Sequence, residues 1–465
     1  MHEKNLHLAG CGNIKQRYAV FFNQAALKFA NRFLWEFKME KLFKLKEHGT
    51  TVRTEVIAGV TTFLAMAYIL AVNPGMLSQT GMPIASVFTA TALSAGIATL
   101  VMAFTANLPV ALAPGMGLNA FFTYTVVMGM GYSWQLALTA VFIEGIVFIL
   151  LSFFNIREMI IDAIPSSLKT AISVGIGLFI ALIGLTNAGI VRGDTGTIVG
   201  FAALKGAPLV AALGLLITAV LYCMKVPGSI LLGIIITTVI GIPFGITVIP
   251  QGFKPFATPA SPLFCRFDFS NILTLKFFSV FFTFFFVDIF DTIGTLVGVS
   301  TQAGLIKNGK IPHAKQALLA DAVGTVAGAA LGTSTVTSFV ESTSGVAAGG
   351  RTGMAAFVTG ILFFASLFLS PLFLLVPSAA TAPALIIVGF FMLCNVGQIN
   401  FKDPTEAIPA FICIIVTPFS YSIAEGIVWG IVSYVVLKTV TGKAKEVSLV
   451  GWFLFIVFIL RWVFK

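Results

Sequence analysis

Apolar runs of about 20 residues follow one another almost end to end along the chain, separated by short polar turns, and a helix of that length crosses roughly 30 Å of hydrocarbon. Lipid offers the backbone no hydrogen bonds, so these runs are expected to be helices. A membrane β-barrel would show short segments of strict alternation instead. The pattern predicts spans at 54–74, 83–106, 109–130, 135–154, 167–189, 207–224 and 227–249. A second set follows at 273–299, 314–332, 334–350, 353–375, 380–397, 405–421 and 422–438. A last run, 447–460, falls below spanning length and is expected to pack against the bundle or lie in the interface.

Two stretches of the first set return in the second, in chain order. Ala140-Val141-Phe142-Ile143-Glu144-Gly145-Ile146-Val147-Phe148 parallels Ala355-Ala356-Phe357-Val358-Thr359-Gly360-Ile361-Leu362-Phe363. Ile164-Pro165-Ser166 leading to Gly177-Leu178-Phe179 parallels Val376-Pro377-Ser378 leading to Gly389-Phe390-Phe391. Seven spans per half is an odd number, so the two halves are expected to be inverted in the membrane, as in transporters whose site lies near the midplane where repeats meet. The fold class expected is therefore an all-α polytopic membrane protein of about fourteen transmembrane helices in two inverted seven-helix repeats. The chain divides into an N-terminal segment 1–53, a first repeat 54–249, a connecting loop 250–272, a second repeat 273–438 and a tail 439–465.

The third span of each half is irregular. In the first, Pro109 and Pro114 withhold backbone donors while Gly115 and Gly117 permit extended geometry. In the second, Ser334-Thr335-Val336-Thr337-Ser338 precedes Glu341. Each is expected to begin as extended chain and continue as helix, directing free N–H groups and a positive dipole end into the core. The plainer alternative is a proline-kinked packing helix.

Composition agrees with the pattern. Of 465 residues 58% are hydrophobic and 10% charged, against about 25% charged in soluble proteins, and the mean hydropathy is +1.00. The net charge of +10 does not call for nucleic acid, because the basic residues gather in the N-terminal segment and in loops of one side. That side takes Arg157, Lys225, Lys307, Arg351, Lys402, Lys438 and Lys443, which places both termini in the cytoplasm of a cell whose inner membrane holds the protein. Phe21, Phe29, Phe37 and Phe43 interleave with Lys28, Arg32, Lys38 and Lys41, as in a helix lying on the membrane surface, unless Met39 is the true start. Five scattered cysteines without a CxxC, and histidines only at 2, 7, 48 and 313 outside the spans, indicate no metal site, cofactor or disulfide framework. No Walker A motif is present, which argues against ATP-driven transport.

Candidate chemistry sits in the membrane. Asp288 and Asp291 interrupt a phenylalanine-rich run, Phe281 to Thr292, where each carboxylate costs about 2.5–3.5 kcal/mol on an insertion scale unless it meets a cavity, a partner or a substrate. Three residues apart, they share roughly one helical face. Glu341 lies in a second apolar neighbourhood. Acidic groups on separate spans, without metal ligands near them, suit a proton-coupled transporter.

Four stretches carry a family resemblance: Glu55-Val56-Ile57-Ala58-Gly59-Val60-Thr61-Thr62-Phe63-Leu64-Ala65-Met66-Ala67-Tyr68-Ile69 with Asn73-Pro74, Ala113-Pro114-Gly115-Met116-Gly117-Leu118-Asn119, Asp288-Ile289-Phe290-Asp291-Thr292-Ile293-Gly294-Thr295, and Phe339-Val340-Glu341-Ser342-Thr343-Ser344-Gly345 through Gly353. From about Lys41 onward the chain resembles the AzgA-type purine permeases of the nucleobase–ascorbate transporter (NCS2) superfamily. The resemblance implies core and gate domains, elevator-type proton symport of hypoxanthine, guanine or adenine, and a homodimer. It also implies positions: Glu341 as the base-binding glutamate, Asp291 where related uracil permeases carry a substrate-binding glutamate, and Thr295 where they carry a histidine. Phe339 takes the place of a neighbouring aromatic, and Met116 or Asn119 that of the third-span contact. Asp288 or Asp291 is expected to carry the coupling proton.

A purine is flat, apolar on its faces and edged with N–H donors and carbonyl or ring-nitrogen acceptors. Carboxylates accept from the edge, while an aromatic ring or Met packs the face. A carboxylate facing N1–H favours hypoxanthine and guanine over adenine. Bland readings stand beside these: Asp288 bonded to the third span or Asn119, Glu144 in an interhelical hydrogen bond, Asp321 orienting the neighbouring broken span, and Glu425 as an N-terminal helix charge. Two other functions compete. One is an anion transporter or channel of the same fold, which Glu341 opposes by repulsion. The other is an intramembrane aspartyl protease, which needs its pair on two helices and a GxGD context absent here.

Overall fold

The computed structural model describes residues 38–154, 165–193, 199–270, 272–306 and 311–463. The basic segment before residue 38, Arg157, Ile164, Lys307 and Lys310 lie outside them. The first half comprises α1 (Val52–Met66), α2 (Ile69–Leu77), α3 (Ile84–Thr105), a strand β1 (Leu112–Pro114), a short helix α4 (Met116–Ala120) continued by a π-helix (Phe121–Gly129), α5 (Trp134–Phe154), α6 (Ser166–Asn187), a small hairpin β2 (Val191–Arg192) and β3 (Gly200–Phe201), α7 (Ala207–Cys223) and α8 (Ser229–Gly241). The second comprises α9 (Leu275–Gln302), α10 (Ala314–Leu331), β4 (Val336–Ser338), α11 (Ser342–Ala347), α12 (Gly353–Ser366), α13 (Ser370–Leu374), α14 (Ser378–Leu393), α15 (Pro404–Phe419) and α16 (Ile423–Val440), followed by α17 (Leu449–Val463).

Local sequence sets these boundaries. Thr51, Thr274, Thr352, Asp403 and Ser422 each accept a first-turn N–H as the N-cap of α1, α9, α12, α15 and α16, satisfying donors a helix start leaves open. Among the described residues eight helical stretches are long and apolar enough to cross a membrane, accompanied by four shorter apolar helices, α7, α8, α15 and α17. Helix α8 stops at Gly241, short of the expected 249, because the N–H groups of Ile246 and Thr247 turn back onto the Gly241 carbonyl. The last run packs against α16, with Leu454 and Phe458 buried. Phe43, expected at the membrane surface, is buried too: its ring meets Phe104 and Phe357, and Asn107 Nδ2 donates to its carbonyl at 3.0 Å.

Both irregular spans break as the pattern predicts, and the extended pieces meet. Strand β1 pairs antiparallel with β4, Leu112 opposite Ser338 and Pro114 opposite Val336, so the orphan backbone groups of each broken span satisfy those of the other inside the bundle. Packing partners are exchanged between the halves. Helix α3 packs on α12 as α10 packs on α5, α1 on α12 as α9 on α5, and α6 on α15 as α14 on α7. The pairs α3–α10, α6–α14 and β1–β4 form between counterparts.

The repeated glycines sit at these crossings. A side chain at Gly177 of α6 would meet the Gly389 carbonyl of α14 at 2.8 Å, so the two matched glycines face one another. Gly389→Val is expected to lower the thermal midpoint of the detergent-solubilised protein and its yield, whereas Gly397→Ala, with open space around it, leaves both unchanged.

Contacts also sort the helices into two groups. Helices α1–α5 and α9–α12 pack extensively on one another, and so do α6–α8 with α14–α16, while contacts between the groups are sparse.

Candidate functional site

The site forms where the broken spans cross. Helix α1 ends at Met66 and α2 starts at Ile69, and Tyr68 stands in that break with its ring buried. Its hydroxyl donates to Glu341 Oε1 at 2.6 Å. Glu341 itself is the residue capping α11 and is 6% exposed. Asp291, on α9, is half-buried. It lies within electrostatic reach of Tyr68 and Glu341 and close to the Thr337 side chain of β4. Two carboxyl groups from separate helices thus converge on the strand crossing, that of Glu341 held by the Tyr68 hydroxyl.

Other expected residues serve this crossing in different ways. The Thr295 hydroxyl pairs with Ser338 Oγ of β4 and donates to the Asp291 carbonyl at 2.9 Å, so it ties α9 to the strand. The Phe339 N–H donates to the Ala111 carbonyl at 3.0 Å, extending the ladder by one bond, and its ring is buried. Met116 opens α4 and is 5% exposed. Asn119 accepts from Ser334 Oγ through its Oδ1, while its Nδ2 donates to the Pro114 carbonyl at 3.4 Å. It therefore braces both broken spans and does not hold Asp288.

Asp288 is fully buried. The Thr292 hydroxyl lies 3.2 Å from Asp288 Oδ1 and 2.7 Å from Asp321 Oδ1. One hydroxyl proton stands between two carboxyl groups, on α9 and α10. Asp321 thus meets α9. The neighbouring broken span is held by Thr325, whose hydroxyl donates to the Val336 carbonyl at 3.0 Å and accepts the Val336 N–H at 3.3 Å. Thr99 of α3 does the same for Leu112 of β1, at 3.0 and 2.9 Å. Glu144 bonds to a neighbouring span as expected, though not to a helix: Thr335 Oγ1, in the extended stretch before β4, donates to its Oε2 at 2.9 Å. Glu425 stands in the first turn of α16, its N–H capped by Ser422.

One expectation about the helix ends changes. The N–H groups of Ser342, Thr343 and Ser344 close on the carbonyls of Phe339, Val340 and Glu341 at 2.9–3.2 Å. The start of α11 therefore presents the Glu341 side chain and not bare amides. A cavity of about 300 Å³ lies elsewhere, between α9, α16 and α17, lined by Phe278, Phe282, Phe286, Ile427 and Phe458 among others. Ser279 and Thr283 are the polar side chains in its lining, so it lacks the carboxylates found at the strand crossing.

Residues 53–428 match the permease family model Xan_ur_permease, whose description is "Permease family". The chain belongs to this family. The permease is 46% identical over 438 residues to the guanine/hypoxanthine permease PbuG of Bacillus subtilis, covering 92% of this chain and 100% of that protein. It is also 46% identical over 413 residues to the adenine permease AdeQ of Escherichia coli K12, covering 88% and 93%. Solved structures share the fold at low identity. The transmembrane domain of the cyanobacterial bicarbonate transporter BicA aligns with a TM-score of 0.59 at 15% identity, over 81% of this chain and 97% of that one. Murine Slc26a9, an anion transporter in the inward-facing state, aligns with a TM-score of 0.60 at 11% identity, over 83% and 68%. This is a multi-pass membrane transporter and not an enzyme, which disposes of the protease reading of the paired aspartates.

Proposed function

We propose that the permease takes up purine nucleobases together with protons, hypoxanthine and guanine before adenine. The observation that carries the reading is the Tyr68–Glu341–Asp291 constellation at the strand crossing. Two carboxylates in a low-dielectric site attract an edge of N–H donors and repel an anion, so the charge of the site favours a neutral base even though anion transporters share the fold. Relatives named for guanine/hypoxanthine and for adenine stand at the same 46% identity, so similarity does not choose between them. An oxo-purine presents N1–H to a carboxylate acceptor, where adenine presents a bare ring nitrogen.

Asp291 and Glu341 meet the substrate in this reading, and the Asp288–Thr292–Asp321 trio holds the coupling proton. Like charges sharing one site favour keeping a proton between them. The sparse seam between the two helix groups supports an elevator-type motion of a core, α1–α5 with α9–α12, against a gate, α6–α8 with α14–α16, and the exchanged packing supports inverted repeats. Cytoplasmic termini in the inner membrane follow from the basic loops.

Competition against radiolabelled hypoxanthine uptake in cells lacking purine transport tests the substrate order. Guanine displacing the label at concentrations where adenine does not supports it; adenine competing alone reverses it.

The elevator reading makes a further expectation. Asn187, at the end of α6, donates to the Tyr124 hydroxyl at 2.9 Å, Gln79 donates to it at 3.2 Å, and Thr125 Oγ1 donates to the Tyr421 carbonyl at 3.3 Å. The first and third of these bonds tie the two groups together on one face, while the second fixes the Tyr124 hydroxyl within its own group. Asn187→Leu is expected to open that face, raising severalfold the rate at which an impermeant thiol reagent added from that side labels Ser338→Cys in a cysteine-free background. An unchanged rate counts against movement at this seam.

A further inference from the structure

Glu341 receives an N–H of the base only as an acceptor. A carboxyl group in a buried site can equally be neutral and donate, and a tyrosine hydroxyl can donate or accept. We infer that Tyr68 is the positioning and specificity-determining residue of the site: its hydroxyl, given to Oε1, fixes Glu341 as an acceptor and leaves Oε2 to receive an N–H from the substrate. This inference rests on the purine reading.

Four observations carry it. The 2.6 Å separation falls in the range of a charge-assisted O–H···O⁻ bond, about 2.5–2.7 Å. Tyr68 is 1% exposed, so bulk water has no access to replace the bond. The residue sits in the break between α1 and α2, where the turn of the chain, not a helix face chosen for packing, aims the ring. The remaining neighbours leave the role to Tyr68. Asp291 is itself a carboxyl group near Glu341 and brings it no fixed donor, and Asp288 and Asp321 share Thr292. The Arg351 guanidinium, at the far end of α11, is turned onto the carbonyls of Val346 and Gly350.

The consequence is discrimination. A site whose buried acceptor is fixed admits an edge that donates and penalises an isostere that offers a lone pair there, because both acceptors are then left unpaired. Removing the phenol donor frees the carboxyl to turn or to donate, and the preference relaxes.

The test compares wild type with Tyr68→Phe for the hypoxanthine KM and Vmax and for the inhibition constant of adenine, with membrane insertion checked by gel filtration of the solubilised protein. The expected result is a KM for hypoxanthine raised about tenfold with Vmax nearly kept, consistent with loss of one charge-assisted bond. The selectivity for hypoxanthine over adenine is expected to fall by a similar factor. Wild-type KM and selectivity in the variant would overturn the inference, as would a fall in Vmax alone. Should Phe at 68 fail to insert, 4-fluorophenylalanine placed there fills the space of the hydroxyl without donating, and the same criteria apply. A wild type that moves no purine sinks the substrate reading and this inference together, whereas purine transport with an indifferent Tyr68→Phe sinks this inference alone.

Discussion

Glu341→Gln is expected to abolish concentrative purine uptake, lowering it by about a hundredfold or more at substrate concentrations below KM. The substitution keeps size and shape and changes the hydrogen-bonding pattern. The carboxylate accepts at both oxygens, one from Tyr68 and one from the substrate. The amide offers only one acceptor oxygen and turns an N–H₂ group either to the phenol or to the base. One charge-assisted bond is lost and a donor now opposes a donor, and such bonds contribute about 1.5–3 kcal/mol each, roughly ten- to a hundredfold per bond. The check is initial-rate uptake at matched amounts of inserted protein. Because the backbone around residue 341 is held by the β1–β4 pairing and by the turn closing on Phe339 and Val340, folding is expected to survive. Uptake within tenfold of wild type contradicts a substrate role for this carboxylate.

Asp288→Asn is expected to separate transport from its driving force. Asp288 has its carboxyl against Thr292, which also reaches Asp321. The asparagine preserves the packing and removes a proton acceptor. Substrate exchange between the two sides of the membrane should therefore persist, while accumulation driven by a proton gradient falls to equilibration. Asp291→Asn, in contrast, is expected to lose both, since that carboxyl adjoins Tyr68 and Glu341. Counterflow and gradient-driven uptake, measured on the same membranes, distinguish the two variants. An Asp288→Asn protein that still concentrates substrate would move the coupling proton elsewhere.

Much of this was legible in the chain. The period of the apolar runs gave the helices, and the prolines and glycines at 109–117 and the Ser/Thr stretch at 334–338 gave the two broken spans. Matched glycines at 177 and 389 marked a crossing that the helices make at those residues. Glu341 and Asp291 stood out because a carboxylate in an apolar run demands a partner.

What sequence could not supply was the partners, because each pairing joins residues far apart in the chain. Tyr68 reads as one more aromatic in an apolar span until the fold brings residue 341 to it. Thr99 and Thr325 read as small helix residues, since threonine hydroxyls commonly bond within their own helix; only the strand pairing shows that both serve β1 and β4. Lys438 read as a loop charge of the basic side. It is buried at the end of α16, 2.5 Å from Glu446 and 3.7 Å from both Asp403 and Glu406. Hydrogen bonds from Thr405 and from Lys443, which is also a nearby positive charge, hold Asp403 well below the usual carboxylate range, so Asp403 stays ionised beside Lys438 at neutral pH.

Purified permease in proteoliposomes, given an inwardly directed proton gradient and labelled hypoxanthine, offers the most direct measurement of the central claim. The account predicts transient accumulation above equilibrium that a protonophore abolishes. Hypoxanthine that merely equilibrates at the same rate with or without the gradient would contradict proton coupling, and liposomes that take up none would contradict the substrate as well.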